Sequence, residues 1–173
     1  MSVVAEIRVR EARASDDARL TALEAVAWSP ESGFPSVIRR AGPGFFGATS
    51  PPGAHLIAER NHTMVGYIRL GPSTPLPENA HVVLVAGLAV DPGMRRHGVA
   101  TALLQAAERR ACDRGARKLS LHVLSTNPGA MRLYTRLGFE QEGVLRAEFL
   151  IEGRYVDDIL LTRHLSGPPG SPR

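Results

Sequence analysis

The sequence is poor in cysteine and lysine, and each shortage narrows what the chain can be. Cys112 is the only cysteine in 173 residues, so a disulfide framework is excluded. Residues 1–6 lack the basic, then apolar, then small-residue order of a secretion signal, and with the single thiol this leads us to expect a reducing, cytoplasmic setting. No apolar run approaches the roughly 18 residues of a membrane span, so no membrane association is expected. Neither H-x-x-x-H nor C-x-x-C occurs, which leaves no metal site to expect. The phosphate-loop pattern G-x-x-x-x-G-K-S/T is missing too. Lys118 is the only lysine among 21 basic residues, and the arginines are scattered from Arg8 to Arg173 without a basic block. A net charge of +4 so arranged argues against a nucleic-acid surface, while it favours the approach of a polyanionic small molecule.

What is present suits a single globular domain over residues 1–165, with a flexible Pro/Gly/Ser-rich tail at 166–173. Hydrophobic residues make up 43% and charged residues 22%, as in ordinary soluble domains. Residues 6–13 alternate apolar and charged side chains, the period of a half-buried strand. Ser15 offers an N-cap for a helix to Ala27 carrying Leu20 and Leu23. Residues 29–53 read as a long loop holding a short helix, because Phe34, Val37, Ile38, Phe45 and Phe46 are too apolar for a linker. Runs at 55–60 and 64–70 predict a hairpin. The nearly unbroken apolar run 81–90 predicts a strand covered on both faces, with a bulge near Gly87.

After a turn at Asp91-Pro92-Gly93 a helix is expected, with Val99, Leu103, Ala106 and Arg110 on one face and Gly115 past its end. A strand at 118–124 would complete a parallel crossover. Asn127 and Pro128 open a further helix with Ala130, Leu133 and Leu137 as its buried stripe. Two last strands are expected at 144–151 and 155–162.

The chemistry concentrates between Leu88 and Thr101. A buried strand, Leu88-Ala89-Val90, runs into a loop, Arg95-Arg96-His97-Gly98, whose end opens a helix at Val99, Ala100 and Thr101. Backbone N–H groups without helical partners converge there, and the small Gly98 and Ala100 leave room for a phosphate to approach. Arg95, Arg96 and His97 add positive charge.

Arg95-Arg96-His97-Gly98-Val99-Ala100 resembles the R/Q-x-x-G-x-G/A signature of the GNAT superfamily of N-acetyltransferases. The segment from Asn127 to Phe139 resembles that family's N-x-x-A-x-x-L-Y-x-x-x-G-F stretch, and the resemblance extends over about residues 6 to 165. It departs in Ala100, where a second glycine is commoner, and in His97, where lysine is frequent. The resemblance implies an α/β GNAT fold: a mixed central sheet of about seven strands, about four helices, and a V-shaped splay between two parallel central strands. It implies acetyl-CoA as cosubstrate, its pantetheine arm along Leu88, Ala89 and Val90, its pyrophosphate at Arg95–Thr101, and Asn127 nearby. It also implies Tyr134 as general acid for the leaving thiolate. The partner would be a primary amine, of a small molecule or a protein N-terminus, attacked directly in a ternary complex. Acceptor selection is expected from residues 29–53 and the last hairpin, and the sequence is compatible with a homodimer. The alternative of a non-catalytic CoA-binding module is disfavoured by the retained Tyr134.

An attacking amine must lose a proton. His122, His81, Glu59 and Glu148 are the candidates, and the sequence singles out none. Asp157 and Asp158 could attract a cationic amine, but on a strand only one of them can face a given side.

Overall fold

The computed structural model describes residues 6–29, 32–34 and 44–165. The tail at 166–173 lies outside them, and so does most of the stretch in which a fourth, short helix was expected. Seven strands form one sheet: β1 (Arg8–Glu11), β2 (His55–Arg60), β3 (Thr63–Pro72), β4 (Val82–Val90), β5 (Lys118–Leu124), β6 (Glu140–Ile151) and β7 (Arg154–His164). Their spatial order is β1-β2-β3-β4-β5-β7-β6. Neighbours are antiparallel except β4 and β5, which run parallel. Among the described residues there are three α-helices: α1 (Asp17–Ala27), α2 (Val99–Asp113) and α3 (Pro128–Arg136).

The sheet separates two cores, and strand alternation decides which side chain joins which. Ile57, Tyr67 and Ala89 pack with Leu20, Leu23 and Ala27 of α1. Their neighbours Leu56, Ala58 and Ile68 join Val99, Leu103, Leu104, Ala107 and Ala111 of α2 on the other face, together with Tyr134 and Phe139. Close approach of α2 to the sheet depends on Gly66, where an added Cβ would lie 2.9 Å from the Ala89 carbonyl oxygen and 3.0 Å from Val99 Cγ1. The hairpin turn at Asn61 and His62 has positive φ at both residues, the backbone geometry that matches the twist of two antiparallel strands.

Several local expectations are corrected. The buried line of α2 is Val99, Leu103, Ala107 and Ala111, with Ala106 half-buried beside it. Arg110 leaves that line: its guanidinium donates to the Gly53 carbonyl and lies 3.6 Å from Glu11. Ser15 does not cap α1. Instead the buried Asp16 accepts from the Arg13 N–H at 2.8 Å and from both Nη atoms of Arg10. In α3 the buried residue is Tyr134, while Ala130 and Leu133 remain half-buried. The strand β6 begins at Glu140, four residues earlier than expected, because an edge strand tolerates the exposed charges of Glu140 and Glu142 that read as loop.

Candidate active site

The parallel pair that organises the sheet is only half a pair. Register runs Val82 to Lys118, Val83 to Leu119, Leu84 to Ser120 and Val85 to Leu121, and stops there. Beyond it, β4 continues through Ala86–Val90 along β3 alone, and β5 continues through His122–Leu124 along β7 alone. The cause lies in β4. Arg69 pairs with Gly87 and Leu70 with Val85, so Ala86 is an extra residue, a bulge that turns the strand away from β5. The bulge stands one residue from Gly87, where the apolar run had suggested it. The two strands therefore diverge into a V.

Buried strand edges need hydrogen-bond partners, and this V opens into a cleft of about 1250 Å³. Leu88, Ala89, Val90, Arg95, Arg96, Gly98, Val99, Ala100, Thr101, Asn127 and Tyr134 all line it. His97 does not. Its ring Nδ1 lies 2.8 Å from the Arg95 carbonyl oxygen and the side chain is exposed. Gly98 precedes α2 at φ +83°, a left-handed conformation that disfavours any side chain. The Arg95 guanidinium donates to the Ala27 carbonyl at 2.6 Å and so ties the loop to the end of α1. Asn127 caps α3, its Oδ1 accepting from the Ala130 N–H at 3.1 Å.

Tyr134 reaches the cleft from the α2 side of the sheet. Its ring packs edge-on against Phe139, with centroids 5.7 Å apart, and only 8% of the residue is exposed. Burial pushes its phenol up to about 12. The four base candidates separate here. Glu59 accepts from Arg10 at 2.7 Å, and that hydrogen bond holds its carboxyl below the usual range. His81 is exposed just before β4, at the end opposite the V. Glu148 is exposed on β6, at a break in its register. His122 alone lines the cleft.

The face of His122 follows from alternation. Leu119, Leu121 and Val123 join the α2 core, so His122 points to the α1 side. There its Nδ1 lies 2.6 Å from Oδ2 of Asp158 on β7. Asp158 is 6% exposed and is the one carboxylate among the described residues lining the cleft. As the alternation required, its neighbour Asp157 is turned elsewhere, accepting from the Ala147 N–H at 2.8 Å and from Arg146 at 3.0 Å. Sequence reasoning did not foresee the His122–Asp158 pair. Nothing local announces it, because it depends on the β5–β7 register.

Comparison with known proteins agrees with this geometry. The model of the acetyltransferase (GNAT) family matches residues 15–139. An uncharacterized N-acetyltransferase of Methanocaldococcus jannaschii is 39% identical over 69 residues, covering 40% of this chain and 30% of that protein. The L-amino acid N-acetyltransferase AaaT of Escherichia coli is 34% identical over 89 residues, covering 50% of this chain and 54% of its own length. The chain thus spans about half, or less, of these curated relatives. The crystal structure of smu.2055 from Streptococcus mutans superposes with a TM-score of 0.74 at 27% identity, over 93% of this chain and 99% of that one. The family match takes in both the strand-loop-helix around Gly98 and the helix of Tyr134, and the chain belongs to the GNAT family of acetyltransferases.

Proposed function

We propose that this protein is an N-acetyltransferase that passes the acetyl group of acetyl-CoA to a primary amine by direct attack in a ternary complex. The observation that carries the reading is the V itself. One proton acceptor stands on one face of the sheet and one proton donor comes from the other, with an unpaired strand edge between them.

The residues present suit acetyl-CoA. The β4 edge from Ala86 to Val90 lacks a strand partner on the β5 side, and an extended amide-bearing arm can supply the missing hydrogen bonds. The α2 N-terminus, with Arg96 beside it, presents N–H groups and positive charge to a pyrophosphate. Bound there, the cosubstrate supplies an activated acyl group as a thioester.

A carboxylate can only accept, so His122 donates Nδ1–H to Asp158 and keeps Nε2 free as a base. When Nε2 takes the amine's proton, the buried Asp158 stabilises the imidazolium and holds the ring in orientation. On the opposite face the Tyr134 phenol remains protonated at neutral pH and donates toward the leaving sulfur. Desolvation that raises the phenol raises a thiol in the same surroundings, which keeps the transfer between them balanced. Positioning the two reactants in one cleft contributes further to the rate.

Calorimetric titration tests the cosubstrate assignment. Acetyl-CoA is expected to bind, and ATP and NAD to give no comparable heat. Gly98→Val, folded by circular dichroism, is expected to lose the binding, since a branched side chain at φ +83° both strains the turn and fills the phosphate's place. Unaltered titration of the folded variant would remove Gly98 from the site.

A further inference from the structure

Among the described residues, one cationic side chain on the acceptor side of the cleft is held by no carboxylate. Arg10, Arg110, Arg146 and Arg163 each pair with a carboxylate. Arg69 lines the cleft and makes no ion pair among the described residues. Its one hydrogen bond is a long 3.4 Å contact to Ser50 Oγ. Glu24 on the same face is engaged by the Tyr67 hydroxyl and by Trp28 Nε1.

The placement of Arg69 is specific. It follows Tyr67 by two residues on β3 and therefore shares the α1 face with it. Across the sheet it pairs with Gly87, the first residue past the bulge, so no side chain stands between it and the V. Paired strands lie about 4.8 Å apart, so Arg69 stands one such spacing from the β4 edge of the V, on the face that His122 also occupies and lining the same cleft. The other cleft arginines, Arg95, Arg96, Arg132 and Arg136, belong to the α2 loop and to α3. Above the same face, Phe34 and Phe149 meet edge-on at 4.7 Å and line the cleft as an apolar wall.

Resting on the transferase reading above, we infer that Arg69 holds the carboxylate of the acceptor, which is a free α-amino acid with an apolar side chain. Its amine faces His122, its carboxylate lies on the Arg69 guanidinium, and its side chain meets Phe34 and Phe149. A polyamine brings a second positive charge toward Arg69, and a protein N-terminus offers a neutral amide in place of the carboxylate, so both are poorer acceptors. Leaving Arg69 unpaired in a half-buried site is what sets the discrimination.

The test compares L-phenylalanine and L-methionine with their carboxamides and with spermidine, following amine-dependent thiol release. The wild type is expected to favour each acid over its amide by about 10²-fold in kcat/KM. Arg69→Gln is expected to lose that preference through KM for the acid while turning over the amide as before, and Arg69→Lys to restore part of it. Calorimetry adds a readout that does not require turnover: with CoA present, N-acetyl-L-phenylalanine should bind the wild type more tightly than its amide, and Arg69→Gln alike to both. Equal use of acid and amide by the wild type, better use of spermidine, or a preference that survives in Arg69→Gln overturns the inference while leaving the transferase reading intact. A wild type that acetylates no amine overturns the transferase reading, and the titration then decides Arg69 alone: equal affinity for acid and amide refutes it.

Discussion

Glu59 and His122 look alike in the sequence, each a lone ionisable residue on a strand, and the structure gives them opposite lives. Glu59 belongs to a closed cluster in which Arg10 spans Asp16 at 2.8 Å and Glu59 at 2.7 Å, joining β1, β2 and the start of α1. Every charge there is answered. The pair of His122 and Asp158 is as close, 2.6 Å, but lopsided: the carboxylate side chain is 8% exposed and the imidazole 46%. A buried anion holding a half-open base can accept a proton from a ligand, whereas a carboxylate clasped by arginine cannot. Openness on one side, more than the presence of a pair, separates chemistry from architecture.

The comparison is broken most severely at His122. His122→Gln should lower kcat/KM by about 10³-fold at neutral pH with an unchanged melting temperature. Glu59→Gln should do the reverse, lowering the melting temperature with turnover preserved at 25 °C. Equal losses of turnover in both variants would erase the distinction.

Next in size is Tyr134→Phe. Its kcat should fall about 10²-fold while acetyl-CoA affinity holds, because the ring still packs on Phe139 and only the donor is lost. With the phenol pushed up to about 12, the wild type should also show no alkaline fall in kcat from this group up to about pH 10. Turnover by the phenylalanine variant equal to that of the wild type would assign the proton to another donor.

The smallest effect is one of stability alone. Asp16→Asn should cost about 2 kcal/mol, since it breaks a largely buried ion pair whose partner Arg10 retains Glu59, and the melting temperature should drop by about 4–8 °C. The pH dependence has a definite sign. Both Asp16 and Glu59 are held below their ordinary values of 3.8 and 4.5 by hydrogen bonds from Arg10. Their stabilisation is therefore full above those values and is lost as pH falls through the lower, folded ones. Acid melting of Asp16→Asn should be shallower than that of the wild type. A variant that follows the wild-type curve would show that this cluster does not govern acid stability.

The contrast also marks what could be read without coordinates. The order of strands and helices, the bulge near Gly87 and the glycine turn at Gly98 were legible, because period-2 and period-3.6 patterns and steric demands are local. Ten of the eleven residues expected to bind cofactor line one cleft, His97 alone being turned away. Three things were not legible. The face of α2 was misplaced by about one residue because Ala106 and Ala107 are equally apolar, and only the packing of the helix on the sheet, which buries Ala107, decides between them. Tyr134 stands one position along the helix from Leu133, outside the expected stripe of Ala130, Leu133 and Leu137, yet it is the most buried residue of α3. The bases could not be ranked, because the β5–β7 register that puts Asp158 beside His122 leaves no trace in either strand alone.

The most direct test of the account is thiol release from acetyl-CoA by the wild type and His122→Gln in the presence of primary amines, with the N-acetylated product identified by mass spectrometry. The account predicts amine-dependent release matched by product in the wild type, and its loss in His122→Gln while acetyl-CoA still binds both. Acetyl-CoA binding with no amine-dependent release by the wild type would contradict it and mark the V as a binding site without transfer chemistry.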